Sequence, residues 1–379
     1  MTTRSMTRDY CRKATTNAAR AVRRPVASRL ASNEKPHALY RSPLYAPKGN
    51  NATAPAAAAM AQDSQTGSQT YETSSGTNAP SLPQPSAASE HAIDHVHVGT
   101  ADTIGLRPTM EDQFVVARHV TPSRKLIWLF GVLDGHGGDA ASRFVAEHWP
   151  RLLFSYLDRA GGCQSRKVRL ALSTSIDRVN DMLHRHFVER GIDLDTGTTL
   201  CAIVVIDGSE FYCVNVGDSR AIALQGHDYQ FMGALSRDHK PANTDERRRI
   251  EALGGFITER INDVPRVVGN LAVSRALGDF PSNPFVTHEP DIVGPRPMRN
   301  LSAFVVCCDG VTDVLQNRDV AHLVGDKLRA ARASGDRRES GAQRAAEHVR
   351  DSAFNAHSSD NISALVVKIP LPTPKGAAQ

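Results

Sequence analysis

Acidic residues recur where apolar runs stop, each beside a glycine, an asparagine or a second acid. They are Glu111-Asp112 following Arg107, Asp134-Gly135-His136-Gly137-Gly138, Gly217-Asp218, Asp309-Gly310 with Asp313 four residues on, and Asp360-Asn361. Any one of these is an ordinary turn, because Asp and Asn favour such positions. As a set at strand ends they can converge from distant sequence on one point. Carboxylates brought that close repel one another, and hard divalent cations with oxygen ligands neutralise them. The chemistry this suggests is a two-metal hydrolytic centre. Gly135 lets the backbone bring its own carbonyl to the ion that Asp134 holds. Arg107 offers a forked pair of donors to an anionic substrate such as phosphate. His136, on a glycine-rich turn, suits a proton donor to a leaving oxygen. The Asn361 amide can orient a carboxylate or a metal-bound water.

The elements that would position these residues are legible from apolar patterning. Residues 114–120 and 125–133 read as two strands joined by a Thr-Pro-Ser-Arg turn. Two helices follow, 139–159 and 165–190, the second with Val168, Leu172, Ile176, Val179 and Leu183 on one face and Gly191 as its stop. Short strands are expected at 198–206, 210–216 and 220–224, with Asp207-Gly208 as a tight turn. Asn243 and Glu246 resemble a capping pair for a helix over 245–253, which Gly254-Gly255 ends. A strand at 302–308, helices at 317–333 and 341–356, and a last strand at 363–369 complete the pattern. Strands and helices come in runs and do not alternate, which argues for α+β: two largely antiparallel sheets packed face to face with helices outside.

The chain has 379 residues and a formal net charge of +5. Residues 1–50 carry eleven Lys or Arg against Asp9 and Glu34, a net +9, which leaves the remaining 329 residues at −4. The basic character belongs to a tail, and the body shows no interleaved aromatic and basic pattern, so nucleic acid is not an expected partner. Residues 1–92 read as a disordered extension, first basic and then built mainly of Ala, Ser, Thr, Pro, Gln and Gly. The first thirty residues, with Asp9 as their sole acid, have the composition of a mitochondrial transit peptide or of a plain basic tail. The compartment is accordingly mitochondrial or cytoplasmic. No stretch of eighteen consecutive apolar residues occurs, so no membrane span is expected. The six cysteines form no C-x-x-C pair, and four lie in apolar strand-like runs as buried thiols, which suits a reducing compartment.

The acidic motifs, in this order, resemble the metal-dependent type 2C serine/threonine protein phosphatases. Supporting stretches are 130–138, Thr198-Thr199-Leu200, Asn215 to Arg220, Asp238-His239-Lys240-Pro241, Gly269 to Asp279 and Asp360 to Ser363. The resemblance covers essentially all of residues 95–369. It implies a catalytic domain over 93–370, followed by a tail at 371–379, with a central antiparallel β-sandwich flanked by helices in αββα layers. It implies two Mg²⁺ or Mn²⁺ ions, bridged by Asp134, with Gly135, Asp309 and Asp360 as further ligands and Glu111 acting through a water. Asp112 and Asn361 would support the water network, and Asp218 with Asp313 would form a weaker third metal position. Arg107 would bind the phosphate and His136 would protonate the departing Ser or Thr oxygen. The implied reaction is in-line attack on phosphorus by a hydroxide bridging the two ions, without a phosphoenzyme. Phosphorylated proteins are the implied substrates, and a monomer is the expected state.

Two positions depart from the family pattern: Thr312 stands where tryptophan is common, and Leu133 replaces a frequent phenylalanine. Both read as packing changes. Residues 232–268 correspond to the family's variable flap and name no substrate. An inactive phosphatase fold that binds phosphoproteins is countered by the presence of Asp134, Asp309 and Asp360. A phosphohydrolase of small molecules fits the chemistry but not the length of the resemblance.

Overall fold

A computed structural model describes residues 96–161, 164–261, 263–334 and 341–371. The expectations for residues 1–92 and for the C-terminal tail fall largely outside these residues. Ten strands carry the fold: β1 (His97–Thr103), β2 (Gln113–Val120), β3 (Leu126–Leu133), β4 (Leu200–Ile206), β5 (Glu210–Val216), β6 (Arg220–Gln225), β7 (Gln230–Ala234), β8 (Asp291–Pro297), β9 (Leu301–Cys307) and β10 (Ile362–Lys368). Among the described residues six α-helices accompany them: α1 (Ala140–Arg159), α2 (Ser165–Arg190), α3 (Thr244–Ala252), α4 (Asp309–Thr312), α5 (Asn317–Ser334) and α6 (Ala342–Asn355). One sheet has the order β1-β10-β9-β6-β7 and the other β8-β5-β4-β3-β2, with every neighbouring pair antiparallel.

The long apolar runs of β3, β4 and β9 follow from burial on both faces. In β3, Trp128, Phe130 and Val132 point between the sheets, where they meet Phe211, Phe304, Val306 and Leu365. The alternate residues Ile127, Leu129 and Leu133 face α1 and α2, packing with Trp149, Leu153, Leu172 and Ile176. On the far side Ile222, Val305, Ala364 and Val366 face α5 and α6. Side chains that alternate between two dry faces leave no polar positions to mark the strand period. The result is an αββα sandwich, as expected, with a separate small core of Ile250, Val267, Val273, Ala276 and Val286 under the flap.

Three strands absent from the expectation, β1, β7 and β8, all lie at sheet edges. β8 carries Gly294 and two prolines, which an edge tolerates because one of its sides makes no ladder bonds. The Asn243–Glu246 capping pair does not form. Asn243 sits at the N-cap but donates its side-chain amide to the Asp238 carbonyl at 2.6 Å. Glu246 turns inward, where Arg249, Ser274 and Arg275 claim its carboxylate. Gly191 does end α2, in the left-handed conformation at φ 65°. Leu133 is fully buried in the core beneath α1 and α2, and Thr312 has a buried hydroxyl without a partner. Among the described residues no helix is long and apolar enough to cross a membrane.

Candidate active site

The loops at one end of the sandwich supply the site. β3 ends at Leu133 and delivers Asp134, whose backbone is fixed from both sides. The Thr199 N–H donates to its carbonyl at 2.8 Å, and its own N–H donates to the Thr199 hydroxyl at 3.0 Å. β9 ends just before Cys308-Asp309, and β10 begins just after Asp360-Asn361. Two glycines allow these loops to touch. A Cβ on Gly135 would lie 2.4 Å from the Glu111 carbonyl oxygen, and one on Gly310 would lie 2.0 Å from that of Asn361. Any side chain at either place would push acid-bearing loops apart.

A cleft of about 580 Å³ results, lined by Arg107, Glu111, Asp134, Gly135, His136, Asp218, Asp309, Asp313, Asp360 and Asn361. Of the residues singled out in the sequence, Asp112 does not line it. Asp112 lies behind the wall, 3% exposed, with one carboxylate oxygen in a group with Asp134 and Cys308 whose ligand atoms lie within 4.8 Å of one another. Neither Asp112 oxygen has a hydrogen-bond partner. Pro241, Ala242, Val264, Pro265, Leu271 and Val273 also line the cleft, together with Lys240 and Arg266.

The acids are held far from their ordinary state. Burial pushes Asp134 well above the usual carboxylate range, and the charges of Asp112, Asp309, Asp218 and Asp360 push the same way. Burial, reinforced by the charges of Asp309 and Asp360, takes Asp112 to about 7. Asp309 rises to about 6 by burial and then by Asp313 and Asp360. Asp218 rises to about 8 by burial and then by Asp309. Oxygen donors this crowded, two of them unpartnered inside the protein, fit a divalent cation, which would restore their charge and satisfy their lone pairs.

Glu111 is held by three neighbours: Thr109 and the Gly138 N–H donate to its carboxylate at 2.7 and 3.0 Å, and its own N–H donates to Asn361 Oδ1 at 2.8 Å. Asn361 also donates Nδ2 to the Ile104 and Thr109 carbonyls at 3.0 and 2.9 Å. Its amide is thus largely spent on shaping the 104–111 loop, which leaves one Oδ1 lone pair for the water network expected of it. Arg107 is not free either, since its Nη2 donates to Asp360 Oδ2 at 2.6 Å. Its other N–H groups remain, and its side chain is 56% exposed.

Three residues with roles here carried none in the sequence reading. The first is Asp279, whose Oδ2 lies 2.7 Å from His136 Nε2. A small three-stranded sheet brings them together: Gly135–His136 and Leu277–Gly278 both pair with Gly197–Thr198. Burial disfavours the His136 charge, but the hydrogen bond and charge of Asp279 outweigh it and hold the imidazole above its ordinary value. Gly278-Asp279 obeys the same glycine-beside-acid rule that picked out the other sites. The second is His239, whose N–H donates to the Gly217 carbonyl at 2.9 Å while its Nδ1 accepts from the Gly217 N–H at 3.1 Å. That double bond fixes the turn carrying Asp218. The third is Lys240, with Nζ 2.7 Å from Asp313 Oδ1 and 3.7 Å from Asp218 Oδ2.

Comparison with known proteins gives a consistent answer. The family model described as protein phosphatase 2C matches residues 96–362. "Probable protein phosphatase 2C 56" of Oryza sativa subsp. japonica is 32% identical over 264 residues, covering 70% of this chain and 68% of that one. "Probable protein phosphatase 2C 76" of Arabidopsis thaliana is 35% identical over 266 residues, covering 70% and 57%. A rice relative described as "Probable protein phosphatase 2C member 13, mitochondrial" is 32% identical over 265 residues, covering 70% and 66%. Among solved structures, a Caenorhabditis elegans sex determining protein superposes with a TM-score of 0.61 at 25% identity, over 73% of this chain and 65% of that one. The serine-threonine phosphatase 2C of Toxoplasma gondii shares the fold, with a TM-score of 0.61 at 21% identity over 76% and 98%.

Proposed function

Because the chain belongs to the protein phosphatase 2C family, the metal-dependent serine/threonine protein phosphatases, we propose how its cleft hydrolyses phosphoserine and phosphothreonine in proteins. Asp134, the Gly135 carbonyl, Asp309 and Asp360 would hold two Mg²⁺ or Mn²⁺ ions, with Glu111 acting through water. Asp112 backs this group from behind the wall, and Asp218 with Asp313 forms an outer, weaker position. When bound, the cations supply the positive charge that activates water and neutralises the phosphate.

The protein's own groups do the rest. Arg107 presents the N–H donors not given to Asp360 to the non-bridging phosphate oxygens, where charge builds in the transition state. His136 has Nε2 committed to Asp279, so the proton given to the departing Ser or Thr oxygen leaves from Nδ1. Asp279 keeps the ring charged and oriented for that transfer. The apolar residues that also line the cleft, Pro241, Ala242, Val264, Pro265, Leu271 and Val273, lower the local dielectric and strengthen each of these interactions.

The observation that carries this reading is the convergence of Asp134, Asp309, Asp360 and Glu111 on one cleft. The test is hydrolysis of phosphothreonine peptides by the full chain. Mn²⁺ or Mg²⁺ should support turnover, EDTA should abolish it, and Asp134→Ala should lower kcat by roughly 10³-fold or more. Activity indifferent to EDTA and to Asp134→Ala would refute it. Of the two expected compartments, the acid-poor basic N-terminus and the rice relative's description favour the mitochondrion. Diffuse cytosolic signal from a fluorescent fusion of residues 1–60 would reject that.

A further inference from the structure

We propose that Lys240 is the resident cation of the outer acidic position, and that a third divalent ion enters only by displacing it. The inference rests on the reading of Asp218 and Asp313 as that position. Lys240 Nζ lies 2.7 Å from Asp313 Oδ1 and 3.7 Å from Asp218 Oδ2, so the ammonium stands between the two carboxylates. A hard divalent ion needs oxygen ligands at roughly 2.0–2.6 Å, which puts it on the same lone pairs. Two positive charges cannot share that space, because nothing between them screens their repulsion.

The lysine is placed there by structure and not by chance contact. His239 bonds the Gly217 backbone twice, which locks residue 240 against the turn that bears Asp218. On its other side the Asn243 N–H donates to the Lys240 carbonyl at 3.0 Å. Asp313 is positioned separately, by its N–H donating to the Asp309 carbonyl at 2.8 Å at the end of α4. The two carboxylates differ in a way that permits exchange. The Asp218 side chain is 4% exposed, whereas that of Asp313, which holds the shorter contact, is 54% exposed. The ammonium is therefore tied mainly to the partner that water can reach, and leaving costs it little solvation. Occupancy of the third position becomes a contest between a tethered ammonium and a free ion, so it depends on ion concentration in a range set by Lys240.

The test counts ions on the full-length protein by Mn²⁺ electron paramagnetic resonance and by calorimetry. Lys240→Met removes the charge and keeps the length, and Lys240→Arg keeps the charge. Lys240→Met should tighten the weakest Mn²⁺ site about tenfold or more and leave the two tight sites in place, while Lys240→Arg should not tighten it. In the wild type, acetylation of Lys240 by an amine reagent, read by mass spectrometry, should rise over the Mn²⁺ range that fills the weakest site. This readout decides the matter even if a variant fails to fold. An unchanged third-site affinity in Lys240→Met, or Lys240 labelling that stays flat as a third ion binds, overturns the proposal. If wild type and Asp313→Asn both bind only two ions, the outer position itself falls and the proposal with it. Two tight ions with EDTA-sensitive turnover would then leave the phosphatase reading intact.

Discussion

At the scale of single residues, the hydrogen bond between His136 and Asp279 has the most direct consequence. Asp279→Asn preserves the shape of the buried side chain but removes the charge that holds the imidazole protonated. With a phosphothreonine peptide, kcat should fall about 10²-fold, the usual worth of a general acid. With p-nitrophenyl phosphate, whose leaving group needs no proton, the loss should largely vanish. Equal losses on both substrates would mean that Asp279 supports the fold and not the acid. The sequence made most of the acids legible because glycine or asparagine beside an acid at a strand end is an unusual coincidence when repeated. What it could not show is partnership. Asn361 looks like a water-orienting amide, yet it spends its donors on two carbonyls of the 104–111 loop, 257 and 252 positions away in sequence. Arg107 looks like a free anion clamp, yet it rests on Asp360. Both outcomes depend on which loops fold against each other, and a linear sequence does not record that.

At the scale of elements, α3 is anchored by the inward turn of Glu246. Burial alone would raise its carboxyl, but Arg275 and Arg249 bring it from 4.5 down to about 2. A folded value below the unfolded one stabilises fully above about pH 4.5 and is lost as pH falls toward about 2. The flap should accordingly loosen as pH falls from about 4.5 to about 2, seen as lower hydrogen-exchange protection over residues 244–261 and 263–268. Glu246→Gln should exchange fast already at neutral pH and lose the acid dependence. Slow exchange in that variant would show that the small apolar core under the flap suffices alone. This pair of roles for Glu246 explains the missed cap, since a buried double arginine partnership outcompetes a bond to a helix end. The strands tell a similar story. Those inside the sandwich were legible because both faces are dry. β1, β7 and β8 were not, because an edge needs few apolar residues and can even hold proline.

At the scale of the whole molecule, stability and metal binding are coupled through the acidic cleft. Asp309, Asp112 and Asp218 rise from 3.8 to about 6, 7 and 8, the reverse of Glu246. Groups raised in the folded state favour folding below about pH 4 and oppose it increasingly as pH climbs through those values. Metal-free protein in EDTA should therefore melt at progressively lower temperature from about pH 4 to about pH 8, and Mn²⁺ should remove most of that decline. A flat metal-free melting temperature over this range would mean the acids do not crowd. The layered architecture was legible from runs of strands and helices, but the pairing of β1 with β10 was not, because it joins residues 259 to 271 positions apart. That pairing sets His97 opposite Lys368 at one end and Thr103 opposite Ile362 at the other. The entry and exit of the folded body thus share a corner seven paired positions away from the catalytic mouth. A circular permutant spliced at that corner, and opened at the α1–α2 connection, would keep every acid in register.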